Sequence, residues 1–238
     1  MKFFKSLKLI GYYNYTVILT YLALCMAMMG IFICMSGSGV NENGERWQGR
    51  PAGGIFCLMV CGALDMFDGK VARTRERNDR EKQFGIQIDS LADLVSFGVL
   101  PSVIGYTVGR QEEWFGDSPV WYGIVTALFV LCALIRLGYF NVDEIMRQAG
   151  TDEARKSYLG LPVTTVALIL PVVFAFRPLI KVAFPAVYSG FLILIAGLFV
   201  TPFKIGKPGF KGLLIMVGIG VLELGLIMLI VWLNKSKF

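Results

Sequence analysis

The chain has 238 residues, of which 55% are hydrophobic and 17% charged, and its formal net charge at pH 7 is +6. Several apolar runs approach the roughly 20 residues that a helix needs to cross a bilayer, so the composition predicts a membrane protein rather than one or two soluble domains. In such a protein a basic balance indicates cytoplasmic loops rich in Lys and Arg, and no nucleic-acid partner is expected. The chain contains no histidine, which excludes Ser-His-Asp hydrolysis and His-ligated metals. None of its five cysteines has the spacing of a zinc site, so any metal must be held by oxygen.

The first 13 residues place Phe3, Phe4, Leu7 and Ile10 among three lysines. This spacing predicts a short amphipathic helix over residues 1–13 that lies in the membrane interface with its lysines toward anionic lipid. The alternative is that these residues are the charged flank of the first span.

Seven stretches are apolar enough to span a membrane, and a count of six or eight is left open. The division between the fifth and sixth stretches rests on Pro178. The predicted fold is an all-α polytopic membrane helix bundle, with one transmembrane domain over residues 1–238. Its spans are predicted at 14–36, 52–72, 84–108, 119–142, 158–177, 180–201 and 212–233.

The basic residues indicate how the chain is oriented. With the N-terminus inside, 15 Lys and Arg residues fall on the cytoplasmic side and seven on the other. Because Lys and Arg are enriched in cytoplasmic loops, this orientation is predicted for a multi-pass protein of the cell membrane. An odd number of spans would place the basic C-terminal residues, NKSKF, on the outer side, and so these residues count against an odd number.

Four aspartates interrupt the second and third predicted spans, within residues 52–108. Asp65 and Asp68 follow i, i+3 spacing, and Asp89 and Asp93 follow i, i+4 spacing, so each pair shares one helix face. An Asp near mid-membrane costs about 2.5–3.5 kcal/mol on insertion scales, so four close together need a compensating charge. One or two divalent cations supply it, and two such ions clamp many phosphoryl transfers.

Other functions are compatible with these aspartates. Acidic pairs on facing helices also relay protons or bind sodium in transporters, so a cation-coupled transporter is the alternative from a different class. A structural membrane scaffold is a third possibility.

Small residues and one arginine accompany the aspartates at fixed spacing, in the order Asp65, Asp68, Gly69, Ala72, Arg73, Gly85, Asp89 and Asp93. These eight residues resemble the signature of the CDP-alcohol phosphatidyltransferase family. The spacer of eleven residues between Arg73 and Gly85 is longer than is usual in that family.

The resemblance implies a six-helix core, a homodimer, a cytoplasm-facing active site and two divalent cations, Mg²⁺ or Mn²⁺. It implies that the four aspartates ligate these cations and that Asp93 is also the catalytic proton acceptor. Small and polar residues would line the site for the cytidine diphosphate of CDP-diacylglycerol, namely Gly69, Ala72, Arg73 and Gly85, with Asn14 or Thr16 from the first span. The family's usual Pro-Asn-x-x-Thr pattern is not intact in that span.

Three further blocks resemble the phosphatidylserine synthase branch of the family: residues 89–102, 135–141 and 158–165. The branch implies L-serine as the acceptor alcohol, although Gly138 and Tyr139 stand where the branch has Ala and Arg. The acceptor site is expected at Arg136, Asn141, Lys156 and Gly160. From the residues alone, Arg136 can equally be a snorkelling side chain, and Gly160 and Pro162 can mark the start of a helix.

The expected reaction transfers the phosphatidyl group from CDP-diacylglycerol to serine by direct displacement and releases CMP. A sister enzyme that uses glycerol 3-phosphate, inositol, inositol phosphate or choline is the alternative within the family. The acidic neighbours of Arg147, Arg155 and Lys156 favour a zwitterionic acceptor over a phosphorylated one.

Overall fold

The computed structural model describes residues 10–36, 39–40, 46–47, 50–72, 74–75, 78–112, 120–150, 157–206, 218–220, 222 and 225. Within these residues, five helices are long and apolar enough to cross a membrane, and a shorter apolar helix covers Val163–Ala175. The predicted all-α, multi-pass membrane bundle is therefore confirmed.

The first half of the bundle carries the aspartates. A 3-10 turn at Tyr15–Val17 leads into α1 (Ile18–Met35), and α2 (Pro51–Ala72) returns against it. One continuous rod then contains α3 (Asp79–Asp93), a π-helical segment (Leu94–Val99) and α4 (Leu100–Glu112). The long α5 is Val120–Gly150.

The second half of the bundle packs against α5. A 3-10 turn at Val163–Thr165 leads into α6 (Val166–Ala175), and α7 is a single turn at Arg177–Ile180. A further 3-10 turn at Lys181–Ala183 then leads into α8 (Phe184–Val200), which lies along α5.

Short strands pair at two of the connections. Strand β1 (Gly39–Val40) pairs antiparallel with β2 (Arg46–Trp47). Strand β3 (Ser157–Leu159) pairs antiparallel with β4 (Lys204–Gly206), so the residues before α6 are joined to those after α8.

The core lies where the continuous rod crosses the other helices. Phe97, Leu100 and Ile104 from this rod are fully buried. Tyr188 of α8 is also fully buried, and its hydroxyl donates a hydrogen bond to the carbonyl of Pro101 at 3.3 Å. The rod is thus held in the core by the helices around it, which restricts the movement of the helix that carries Asp89 and Asp93.

Several predicted boundaries differ from the structure. The fifth span was predicted from residue 158, but Ser157–Leu159 are a strand and the helix begins only at Val163. The third was predicted from residue 84, but α3 begins at Asp79 because Asn78 caps it. The break predicted at Pro178 is found, since helix α6 ends at Ala175 and Pro178 lies in the first turn of α7.

Two predicted elements lie largely outside the described residues. Residues 1–9 of the expected interfacial helix are among these, and Ile10 to Asn14 are not helical. Of the seventh predicted span, 212–233, only residues 218–220, 222 and 225 are described, and these are helical.

Small residues allow α2 to approach its neighbours closely. A Cβ built at Gly54 would lie 2.4 Å from the Cys34 sulfur of α1. One built at Gly62 would lie 2.5 Å from the Cβ of Ala167 in α6. The second contact is one turn from Asp65, so close packing here supports the placement of the aspartates.

We expect Gly62→Ala to destabilise the protein, because Ala167 meets the added methyl group with a rigid Cβ and the two helices must separate. Overpacking of this kind costs about 1–3 kcal/mol. The matched control is Gly190→Ala, where an added Cβ meets nothing within 4 Å and where the substitution gains up to about 1 kcal/mol of helix propensity. Thermal unfolding in detergent should show a lower Tm for Gly62→Ala only; equal Tm values for the two variants would contradict this account of the packing.

Candidate active site

The two helices that carry the aspartates are α2 and α3. Helix α3 begins with a capping box, in which the Asn78 side chain accepts a hydrogen bond from the Glu81 amide at 2.8 Å. The Asn78 amide in turn donates to the Glu81 carboxylate at 3.2 Å, and Arg75 pairs with the same carboxylate at 3.6 Å. A reciprocal cap of this type fixes where a helix starts, and so it fixes the direction in which Asp89 and Asp93 project.

Three of the aspartates converge between these helices. Asp65, Asp89 and Asp93 each offer a carboxylate oxygen, and these oxygens all lie within 4.8 Å of one another. All three side chains are partly buried. The structure therefore brings together one aspartate of the first pair and both of the second.

Asp68 lies beside this cluster and is held from a third helix. Its Oδ2 accepts a hydrogen bond from the Thr20 hydroxyl of α1 at 2.9 Å. Its carboxyl group also lies close enough to those of Asp65 and Asp89 to interact with them electrostatically. Asp68 thus stands beside the other three aspartates, while its Oδ2 is hydrogen-bonded to α1.

The cluster has the composition of a site for a hard cation. Like charges held a few ångströms apart in a partly buried place repel one another strongly, since little water is present to screen them. Carboxylate oxygens are the ligands that Mg²⁺ and Mn²⁺ prefer. The donor set therefore fits a divalent cation.

The helix changes its winding directly after Asp93. Residues Leu94–Val99 are π-helical, and the amide of Leu100 donates to the carbonyl of Val95, five residues earlier. The segment buries Ser96, Phe97 and Gly98. Single π-helical turns within α-helices occur frequently at functional sites.

The predicted nucleotide residues of the first span, Asn14 and Thr16, are both buried. The Asn14 side chain accepts hydrogen bonds from the amide and the hydroxyl of Thr16, and so caps the turn before α1. Their observed contacts are therefore with each other.

Aromatic residues hold this N-terminal stretch against α3 and the connection that precedes it. The ring of Tyr12 meets that of Phe84 edge-on at 5.4 Å between centroids. The Tyr15 hydroxyl is hydrogen-bonded to the Thr74 hydroxyl at 3.1 Å. Because Phe84 precedes Gly85, these contacts bring the first span to the start of the acidic face of α3.

The other predicted nucleotide residues follow the same two helices. Gly69 and Ala72 are in the last turn of α2, and Gly85 is in α3, one turn before Asp89. Arg73 lies outside the described residues.

Among the predicted acceptor residues, Arg136 is buried rather than snorkelling. Its side chain is 6% exposed, its Nε donates to the Leu161 carbonyl at 2.7 Å, and its guanidinium lies 3.5 Å from the centre of the Phe140 ring. Arg136 therefore holds the loop that precedes α6. The snorkelling alternative for this residue was wrong.

Gly160 lies in the same loop. Its φ of +69° is a conformation that favours glycine. Its amide donates to the Phe203 carbonyl at 2.6 Å, beside the β3–β4 pair. The alternative in which Gly160 and Pro162 mark the start of a helix agrees with the structure to within one residue, since Pro162 is the N-cap of the 3-10 turn that begins at Val163 and leads into α6.

Asn141 contacts the helix that carries Asp89 and Asp93, whereas Lys156 lies outside the described residues. The Asn141 Oδ1 accepts a hydrogen bond from the Ser90 hydroxyl at 2.6 Å, and Ser90 directly follows Asp89. The expected acceptor residues are thus split between a loop contact at Arg136 and Gly160 and a contact beside the cluster at Asn141.

Two residues that contact the site were absent from the sequence-based prediction. Ser90 joins α3 to α5, and Thr20 joins α1 to Asp68. A signal for Thr20 was present, since it lies one helical turn after Thr16 and so continues a polar face in an apolar span.

Comparison with known proteins now identifies the family. The model of the CDP-alcohol phosphatidyltransferase family matches residues 13–203, so the chain belongs to that family. The match includes all four aspartates and every described helix from α1 to α8.

Several curated relatives share the name CDP-diacylglycerol–serine O-phosphatidyltransferase. The relative from Saccharomyces cerevisiae is 37% identical over 124 residues, which is 51% of this chain and 41% of the relative. The one from Helicobacter pylori is 35% identical over 119 residues, 49% of this chain and 44% of the relative. The one from Bacillus subtilis is 27% identical over 158 residues, 66% of this chain and 77% of the relative.

The chain spans less than half the length of the yeast and Helicobacter relatives that it matches. No solved structure matches the chain significantly.

We expect Asp89→Asn to lower the affinity for Mn²⁺ at least about tenfold, because changing even an outer-shell partner of a metal typically costs 10–100-fold. The matched control is Asp79→Asn on the same helix, since the Asp79 side chain is 94% exposed and faces Lys82. Electron paramagnetic resonance of free and bound Mn²⁺ measures both variants in detergent. Unchanged binding in Asp89→Asn would remove Asp89 from the metal site.

Proposed function

We propose that the chain is a CDP-diacylglycerol–serine O-phosphatidyltransferase of phospholipid biosynthesis. The observation that carries the proposal is the convergence of Asp65, Asp89 and Asp93 between two helices of a membrane bundle. Membership of the CDP-alcohol phosphatidyltransferase family supports the reaction class. The shared name of the curated relatives supports serine as the acceptor.

Two divalent cations, Mg²⁺ or Mn²⁺, are proposed as cofactors. Asp65, Asp89 and Asp93 would hold one, and Asp68 would contribute to the second together with the aspartates beside it. When bound, the cations neutralise phosphate oxygens and stabilise charge on the attacking and leaving oxygens of an in-line displacement.

The residues around the cluster would bind the nucleotide end of CDP-diacylglycerol. Gly69, Ala72 and Gly85 lack long side chains, so a ligand can approach both helices closely. Arg73 offers a planar guanidinium suited to phosphate oxygens. Asn14 and Thr16 are held beside this region by the Tyr12 and Tyr15 contacts.

The proposed reaction is a direct displacement at phosphorus. A new bond forms between the serine hydroxyl oxygen and the phosphorus of the lipid-side phosphate, and the bond from that phosphorus to the CMP oxygen breaks. Asp93 takes the hydroxyl proton as the new bond forms, and CMP leaves with the electron pair of the broken bond. The chain has no histidine to serve as a base or as a phosphate carrier.

The acceptor is proposed to bind between α3 and α5. Asn141, which contacts Ser90, would face the serine, and the loop held by Arg136 would form the wall of the site. Gly160 would contribute to serine binding by giving that loop its shape, and Lys156 by attracting the serine carboxylate.

The active site is proposed to face the cytoplasm, in a homodimer. The excess of Lys and Arg on the side where α2 ends and α3 begins supports this orientation. CDP-diacylglycerol would then reach the cluster from the bilayer and serine from the aqueous side.

We expect the purified protein to release CMP from CDP-diacylglycerol when Mn²⁺ or Mg²⁺ and serine are present. A panel of serine, glycerol 3-phosphate, inositol, inositol phosphate and choline identifies the acceptor, and chelation of the cation is the control. Release with another alcohol but not serine would favour a sister enzyme. Cation flux into liposomes without any CMP release would instead favour a transporter.

We expect Asp93→Asn to lower kcat by 10²–10⁴-fold, the usual contribution of a general base. The KM for CDP-diacylglycerol should change far less, because the amide keeps the size of the side chain and only the proton acceptor is lost. Rates at saturating Mn²⁺ separate this effect from weaker metal binding. A kcat near that of the unchanged protein would exclude Asp93 as the base.

A further inference from the structure

Thr20 makes a contact that is unusual for a threonine in an apolar helix. A hydroxyl in such a helix commonly bonds to the carbonyl one turn earlier in the same helix. Thr107 does so with Val103 at 2.8 Å, and Thr126 with Tyr122 at 2.7 Å. Thr20 instead donates across the bundle to Asp68, 48 residues away in the chain.

The surroundings of Thr20 make this hydrogen bond strong and well defined. The Thr20 side chain is 6% exposed, and its acceptor is a carboxylate oxygen. Hydrogen bonds to ionised groups are roughly twice as strong as those between neutral groups. Helix α1 is itself held on α2 nearby, where the Cys61 thiol donates to the Ala23 carbonyl at 3.3 Å.

Asp68 differs from the other aspartates in its position relative to the carboxylate group. The carboxylate oxygens that lie within 4.8 Å of one another come from Asp65, Asp89 and Asp93. Asp68 stands beside them, and the hydrogen bond from Thr20 to its Oδ2 sets the direction in which its carboxylate faces. Asp65, Asp89 and Asp93 therefore form one group of carboxylates, and Asp68 stands outside it.

We propose that Thr20 is a positioning residue that orients Asp68 toward the second of two cation positions. This inference rests on the proposed function. The three-aspartate position is the tighter of the two and does not depend on Thr20, because α2 and α3 alone form it. The second position requires the orientation of Asp68, and so it requires the hydroxyl on α1.

The test is a titration of the purified protein with Mn²⁺ alone, followed by electron paramagnetic resonance. We expect the unchanged protein to bind two ions, with the weaker affinity about tenfold or more lower in Thr20→Val, as is typical when an outer-shell partner is lost. The tighter affinity should stay within about threefold. Thr20→Ser keeps the hydroxyl and should restore the weaker affinity, which a role in packing alone would not predict.

The matched control is Thr107→Val, since Thr107 is also buried but bonds within its own helix. Its two Mn²⁺ affinities should equal those of the unchanged protein. Thr20→Ala removes the same hydroxyl with less bulk and should reproduce the effect of Thr20→Val, which provides a second variant if valine is poorly accommodated.

A double-mutant cycle with Asp68→Ala decides whether Thr20 acts through Asp68. In the Asp68→Ala background the second position is already lost, so adding Thr20→Val should leave the remaining affinity unchanged. An equal drop in both backgrounds, or no drop from Thr20→Val alone, would overturn the inference. A protein that binds no Mn²⁺, or that binds it and never releases CMP, would instead contradict the proposed function.

Discussion

The electrostatic repulsion among four aspartates is the constraint around which this bundle is organised. Asp65, Asp89 and Asp93 lie with their oxygens within 4.8 Å of one another, in a place where water screens charge poorly. No apolar packing can compensate such an arrangement by itself. Each neighbouring element instead contributes a contact that holds an aspartate in place. The capping box sets the rotation of α3 about its axis. A hydrogen bond from α1 holds Asp68, and a hydrogen bond to α5 holds Ser90, which follows Asp89. The site is therefore formed by four helices, since α2 and α3 carry two aspartates each and α1 and α5 contribute contacts that hold them.

Close packing makes this convergence possible. Gly54 and Gly62 let α2 approach α1 and α6 to distances that a larger side chain would prevent, and both lie on the helix that carries Asp65 and Asp68. The rod that carries Asp89 and Asp93 is anchored deeper in the bundle, where Phe97 and Leu100 are fully buried. Rigid packing at one end of each helix thus restricts how far the charged ends can separate, although they repel each other.

The proximity of the aspartates could be predicted from the sequence because the signal is strong. Four acids at helical spacing in apolar segments can share few helix faces. The family resemblance around Gly69 and Arg73 further narrowed the reactions that the site could catalyse. The residues at which the helices begin were predicted less well. The charged residues after Asn78 led to a predicted start at residue 84, because charged residues are rare in a membrane span. The spacing of Asn78 and Glu81 is that of a capping box and would have indicated the start at Asp79. The pairing of Ser157–Leu159 with Lys204–Gly206 joins segments far apart in the chain, and the π-helical winding after Asp93 depends on tertiary packing, so neither has a local signal.

The cap at Asn78 and Glu81 also bears on how the chain tolerates insertions. Helical phase is reset at this point, so residues gained or lost between Thr74 and Asn78 lengthen or shorten the connection without turning the helix that follows. One residue gained between Glu81 and Asp89 would instead swing the carboxylates by about 100° around the axis. The long spacer of this chain can therefore vary in length before Asn78, whereas the number of residues between Glu81 and Asp89 must stay constant.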